Sequence, residues 1–499
     1  MATTSDPVRV VVPWDGAVGE VAATLHDYLA HPRVTTVLVV VDGTAGSDPS
    51  DAEAALAGVD NPRLEVVALP RVVGEGVAWK LAINHAGDDP VPPTRGDTIT
   101  VIHGAGASNE ADDIDALLAP LDDADADVVL GVTRATGLEG PVGSFRSVLA
   151  ERLATTAVSV VTNLRLRDLL GSTVAAHTTT LAQLELSQDG AAIRSELMAC
   201  AALPHRPTGT ALRVSEVGLR ATSTAPTTSA SSWRRVRSGL WGAVRHTATG
   251  RRLAGWRATT PDPDVDADSN LSRVLEDLST MHGYAAWIVE SLDDALASST
   301  ASHPILEVGA GHGAITTLLA ERGRVVAYDP SPAATEALHQ AFDGHPTVEV
   351  VGALDEAVDA GPYGAAVLVN VLEHVEDEVG LLRRLGDVLA PDGVIAVFAP
   401  AHPELYSTFD RLVGHHRRYR LGDLAVAMHA AGLEVVDLRY VNAVGALGWF
   451  VNARFVGATR PSATLTRLYE RVVLALTRAT ERRAPSFGQS VVCVARSRQ

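Results

Sequence analysis

The residues best placed to do chemistry form one glycine loop and one histidine cluster, both in the second half of the chain. Glu307-Val308-Gly309-Ala310-Gly311-His312-Gly313-Ala314 follows a short apolar run and leads into the helical stretch ITTLLAERG. Glycines there let the backbone turn sharply, and let a ligand approach main-chain N–H groups with no Cβ in the way. A helix start also favours a negative group beside it. The next apolar run ends at Tyr328-Asp329. An acid at that point accepts hydrogen bonds from both hydroxyls of a ribose. The chemistry implied is the binding of a nucleoside-bearing cofactor. Gly309, Gly311 and Ala314 also satisfy GxGxxA, so the loop alone leaves a dinucleotide open.

The second group begins where Asn370 ends an apolar run and Glu373 and His374 follow. Farther on come His402, Glu404 and Tyr406, then Asp410-Arg411 and His415-His416-Arg417-Arg418-Tyr419. Histidine titrates near neutral pH, which makes His374 and His416 candidate proton acceptors. A satisfied, half-buried structural histidine is the competing explanation. His402, His415, Arg417, Arg418 and Tyr419 could hold an anionic acceptor, with arginine making bidentate contacts to a phosphate or carboxylate. A solvated helix start with internal ion pairs would look the same. Cys200 and Cys493 lack the spacing of a zinc motif or a disulfide framework, so no metal is expected and a reducing cytoplasm is the simplest home.

These residues need a scaffold of alternating strands and helices. The chain has 499 residues and a formal charge of -19. That much negative charge excludes a coat for nucleic acid, because phosphate repels it. Lys80 is the only lysine. Short apolar runs at 8–12, 36–41, 64–69, 98–102 and 128–132 read as strands separated by helical stretches. A second set lies at 305–308, 325–328, 348–351, 365–369, 394–398, 435–438 and 491–495, after a helix expected from 271 to about 292. Strands alternating with helices imply parallel pairing with helical crossovers, hence two α/β domains. The expected boundaries are 1–220, a connecting segment 221–269, and 270–499 with an insertion at 440–488.

The connecting segment is unlike its flanks. It opens rich in Ser and Thr, and residues 233–257 hold seven arginines and three tryptophans with no acid among them. Such a stretch suits an anionic membrane surface, at the inner face of the membrane, or docking on the acidic remainder of the chain. No apolar run is long enough to span a bilayer.

Residues 270–499 resemble the class I S-adenosylmethionine-dependent methyltransferases, especially the small-molecule type of quinone biosynthesis. LEVGAGHG is similar to the first motif of that family, YDPSPAATEAL to the second-strand motif with its ribose acid, and LVNVLEHVED with LLRRLGDVLAPDGVIAVFAP to the fourth and fifth strands. The resemblance implies a Rossmann-like seven-stranded fold with an antiparallel last strand, and S-adenosyl-L-methionine as cofactor. It implies that Gly309, Gly311 and Gly313 line the cofactor, that Glu307 orders the loop, and that Asp329 holds the ribose. It places Leu354 against the adenine and Asn370 near the methionine end. Ala353 stands where the family often has an acid contacting the adenine amine, with Asp355 as a possible substitute.

The first domain resembles the family 2 glycosyltransferases of GT-A fold, closest to polyprenyl-phosphate mannose synthases. VRVVVPWDG, VVDGT and the stretch Glu75-Gly76 to Lys80 carry the likeness, with Asp15 and Asp42 at the positions that bind the sugar nucleotide. The DxD motif that holds a divalent cation in that family is missing, and His103-Gly104-Ala105 stands in its place. Without those carboxylates the leaving diphosphate loses its charge neutralisation. The reading is a methyltransferase acting on an oxygen of a glycan, glycolipid, lipid-linked or other small-molecule acceptor, fused to a degenerate glycosyltransferase-like domain. The alternatives are a bifunctional glycosyltransferase–methyltransferase and a non-catalytic membrane-associated adaptor.

Overall fold

The computed structural model describes residues 6–14, 25–41, 56, 61–71, 73–84, 98–103, 111–133, 155–156, 158–159, 162, 164, 166–167, 173–184, 186–190, 192–202, 211–219, 281–299, 303–446, 472–481 and 485–498. The chain separates into two compact units, 1–255 and 256–499. Asp15, Asp42 and the Arg/Trp segment 233–257 lie outside the described residues, as do 221–280 and 447–471.

In the first unit, β1 (Val8–Trp14), β2 (Val34–Val41), β3 (Leu64–Ala68), β4 (Ile99–Ile102), β5 (Val128–Thr133), β6 (Thr173–His177) and β7 (Val214–Leu219) form one sheet in the order β3-β2-β1-β4-β6-β5-β7. The valine-rich β1 and β2 are buried almost end to end, as expected of central strands covered on both faces. Helices α1 (Glu75–Asn84), α2 (Ala111–Asp122), α3 (Thr178–Gln183) and α4 (Ala192–Ala201) accompany the sheet. Val10, Val37, Val101, Leu117, Val129 and Ala175 meet in its core. The sheet is not wholly parallel, since β6 runs antiparallel to both β4 and β5. The sequence TVAAH of β6 carries too little apolar branched character to stand out as a strand, and pairing on both sides supplies what propensity does not.

The second unit opens with α5 (His282–Glu290) and α6 (Asp293–Ser299). β8 (Ile305–Val308), α7 (Ala314–Ala320), β9 (Val325–Tyr328), α8 (Pro332–Phe342), β10 (Val348–Val351), α9 (Leu354–Asp359), β11 (Tyr363–Val369), α10 (Glu378–Gly386) and β12 (Leu389–Pro400) then alternate. α11 (Thr408–Leu412), α12 (Leu421–Ala430), β13 (Leu433–Val441), α13 (Leu474–Glu481) and β14 (Ser490–Ser497) complete it. The strand order is β10-β9-β8-β11-β12-β14-β13. Every neighbouring pair is parallel except those of β14, which runs antiparallel to β12 and β13. All seven strands expected of this half are present, and the last is reversed as the resemblance implies. No helix among the described residues is long and apolar enough to cross a membrane.

Local chemistry fixes the helix starts around the future site. Ser331 caps α8, accepting from the Ala334 N–H, with Pro332 at the first turn where its missing donor costs nothing. Asp377 caps α10 by accepting from the Gly380 N–H at 2.9 Å. The core of the unit gathers Trp287, Ile305, Leu319, Val325, Val367, Ala396, Phe398 and Val492. Trp287 meets Phe398 edge-on at 5.8 Å between ring centroids, and its indole N–H donates to Glu481 at 2.9 Å. Trp287→Ala is therefore expected to cost about 3–5 kcal/mol. Urea denaturation followed by circular dichroism measures this, and an unshifted midpoint would count against the packing described.

Candidate functional site

The order β9-β8-β11-β12 reverses direction between β8 and β11, so a crevice opens outside the C-terminal ends of those two strands. The glycine loop leaves β8 at that point. Gly309 has φ +76°, and a Cβ added there would lie 2.3 Å from Val371 Cγ2. Gly313 has φ +84°, and a Cβ there would meet the Phe342 ring at 2.5 Å. Only glycine satisfies both the left-handed backbone and the close approach. Gly309 and Ala310 donate to the carbonyl of Tyr328 at 2.7 and 3.0 Å, binding the loop to the end of β9.

Asp329 fastens the other side of this loop. One carboxylate oxygen accepts from the Gly311 N–H at 2.8 Å and the other from the Ser331 N–H at 2.9 Å. It is therefore not the cap of α8, a role that Ser331 fills. Glu307 lies beneath, 3% exposed, and its Oε2 has no hydrogen-bond partner. Burial, reinforced by the charge of Asp329, pushes its carboxyl up to about 8. Leu354 starts α9 and is partly exposed. Asp355 is exposed and pairs with Arg384 at 2.5 Å. Asn370 takes φ +52° immediately after β11 and donates to the Phe398 carbonyl at 2.7 Å.

The histidine cluster gathers around one carboxylate. Asp410 is fully buried and accepts from both the N–H and the hydroxyl of Ser407, from His415 Nδ1 at 2.8 Å, and from Arg418 at 2.7 and 3.1 Å. Burial opposes its ionisation, but Arg418 and His415 together hold its pKa well below the usual carboxylate range. His415 meets His374 edge-on at 4.7 Å between ring centroids. Burial is the main cause that lowers His374 to about 3, so its imidazole is neutral. Glu373, also fully buried, is pushed up to about 8 by burial. The backbone N–H of His416 donates to the Glu373 carbonyl at 2.7 Å. His402, at φ +60°, stacks on Tyr440 at 4.6 Å, and burial lowers it to about 4.

The fold thus brings His374, His415 and Glu373 together, while His402 packs with Tyr440. The arginines of the cluster already have carboxylate partners within the chain. Arg418 is spent on Asp410, and Arg417 pairs with Glu378 at 2.9 Å. Tyr419 donates to the Leu372 carbonyl at 3.0 Å and also pairs with Glu378. The reason is local: buried Asp410 and the largely buried Glu378 would be costly without a partner. The role of Asp410 as the hub escapes sequence reasoning, because nothing in its local sequence marks it as buried.

Residues 280–438 match a family model described as a methyltransferase domain. Among solved structures, the CcbJ methyltransferase from Streptomyces caelestis is 15% identical over 44% of this chain and 90% of its own, with a TM-score of 0.28. The YcgJ protein from Bacillus subtilis is 15% identical over 42% of this chain and 99% of its own, at 0.30. An S-adenosylmethionine-dependent methyltransferase from Clostridium acetobutylicum is 9% identical over 44% and 92%, at 0.28. No curated protein matches the chain. The match to a methyltransferase domain spans β8 to β12 and most of β13 of the second unit.

The buried groups set a pH dependence. Glu307 and Glu373 bind a proton more tightly in the folded chain, at about 8, than at the ordinary value of 4.5. Their contribution is complete below 4.5 and is lost as pH rises through about 8. His103, His374 and His402 act oppositely, since their folded values near 4, 3 and 4 lie below 6.5 and stability falls as pH drops beneath that value. Above 6.5 only the carboxyls act. The melting temperature is therefore expected to fall between pH 6.5 and about 8.5, and Glu307→Gln to flatten the decline. A thermal melt series in matched buffers measures it, and equal slopes for both proteins would refute the assignment.

Proposed function

We propose that the chain transfers a methyl group from S-adenosylmethionine to an oxygen of a glycan, glycolipid or other small-molecule acceptor. The observation that carries this reading is the crevice at the β8/β11 reversal, where positive-φ glycines, buried Glu307 and Asp329 meet. That donor set fits a ribose-bearing cofactor. Asp329 and Leu354 would hold its nucleoside, and the glycine loop and Asn370 its amino-acid end. When bound, the sulfonium supplies an already activated methyl group. The chain then has three tasks: to align the acceptor in line, to keep water out, and to take a proton from a hydroxyl. His374 and His416 are the candidates for the last task; a value near 3 makes His374 a weak base, which leaves the proton to His416. An oxygen acceptor of glycan type rests on the adjacency of the first unit.

The first unit is read as a glycosyltransferase-like scaffold without metal-dependent sugar transfer. Support comes from the end of β4, where the cation-binding acids of such enzymes would stand. His103 occupies that place, hydrogen-bonded to the Tyr28 hydroxyl at 2.9 Å, and burial lowers its pKa to about 4. A neutral imidazole neither holds magnesium nor offsets a diphosphate. Lys80 is paired with Asp189 at 2.6 Å and Arg194 with Glu75 at 2.9 Å.

Two measurements test the reading. S-adenosylhomocysteine should bind in calorimetric titration, and Asp329→Ala should weaken it by about 1–3 kcal/mol; wild-type heat equal to buffer would sink the cofactor site. Uridine and guanosine diphosphate sugars, offered with and without manganese, should be left intact. Manganese-stimulated turnover would instead establish the bifunctional alternative.

A further inference from the structure

We propose that Glu373, His374 and His415 form a binding site for a divalent transition metal of the zinc type. Their ligand atoms all lie within 4.8 Å of one another. Glu373 is completely buried, and neither of its carboxyl oxygens has a hydrogen-bond partner. A buried carboxylate without a partner is costly, and natural structures retain one where an ion or a proton balances it.

The orientation of His415 is the second, independent observation. Asp410 is ionised and can only accept, so the His415 Nδ1 at 2.8 Å from it carries the proton. The lone pair is then on Nε2, and Nε2 is the atom that lies 3.8 Å from Glu373 Oε1. That distance is too long for a hydrogen bond and leaves room for an ion bridging the two. A carboxylate that receives the far N–H of a ligating histidine is the usual support of such sites, fixing both tautomer and ring angle. Arg418 would repel a cation, but its guanidinium is neutralised by the two-pronged contact with Asp410. Glu373, which gives up its proton when an ion binds, is thus left for the metal.

Two imidazoles and one carboxylate form a borderline donor set, which suits zinc better than magnesium or calcium. Three protein ligands leave a fourth position open. Partly exposed His374 gives the ion a route from solvent. The three residues follow β11 and precede α12, beside the strand end where the cofactor crevice opens. If the methyl-transfer reading holds, the open position takes the acceptor oxygen and lowers the pKa of its hydroxyl. That extension rests on the proposed function, whereas the metal site does not.

The test uses the full chain, stripped with chelator and titrated with zinc chloride by calorimetry. Cobalt(II) absorption serves as a second readout of nitrogen ligation. One equivalent of metal is expected, weakened roughly 10–100-fold or more in Glu373→Gln and in His374→Gln. Glu373→Gln replaces a buried carboxyl group that has no hydrogen-bond partner with a neutral amide of the same size, so its circular dichroism and melting temperature should be undiminished; His374→Gln, partly exposed, provides the check if that variant misfolds. No zinc uptake by the wild type, or unchanged uptake by both folded variants, overturns the proposal. S-adenosylhomocysteine titrated into the same samples keeps the two readings apart, because failure there with zinc still bound counts only against the cofactor crevice.

Discussion

The glycine loop depends on Asp329, whose buried carboxylate accepts from the Gly311 N–H. A strand-to-helix turn built on three glycines has little intrinsic preference for one shape, since each glycine has wide conformational freedom to lose. Asp329 supplies the missing constraint. It holds Gly311 on one side and Ser331 on the other, while the Tyr328 carbonyl takes the N–H groups of Gly309 and Ala310. The ends of β8 and β9 are thereby joined through main-chain donors. Val371 and Phe342 then press against Gly309 and Gly313 so closely that no side chain fits.

A second carboxylate organises the histidine cluster. Asp410 collects Ser407, His415 and Arg418 into one buried network. In a low-dielectric interior such a network is stable only when every member is satisfied. Asp410 meets that condition and Glu373 does not, although the two lie in the same cluster. The contrast is what separates a structural ion pair from a group that still has a ligand to meet. The same network holds Arg418 beside His415, while Arg417 pairs separately with Glu378.

Much of the fold was legible in linear form. The seven apolar runs of the second half became the seven strands, because short runs of four or five mostly apolar residues between turn residues are too brief for helices and bury well in a covered sheet. The glycine loop was equally legible, since glycine spacing and the following acid are local features. β6 was not, because its alanine-rich run is stabilised by neighbours rather than by propensity. The destination of each arginine was not legible either. Arg417, Arg418 and Arg420 look alike in sequence, yet they pair with Glu378, Asp410 and Glu404 respectively.

The amino-acid sequence by itself determined the two α/β patterns, the glycine turn and the acid that follows it, because each is written in residues within one βαβ unit. It also determined that His103-Gly104-Ala105, and no pair of acids, stands directly after the fourth strand of the first half. Only the tertiary structure decided that His374 and His415 meet, that Glu373 is buried without a partner between them, and that Asp410 fixes which nitrogen of His415 carries the proton. Those facts depend on bringing the segment after β11 against the segment before α12. The physical reason is that burial and pairing of charge are properties of a three-dimensional neighbourhood, and no local pattern of residue types encodes them.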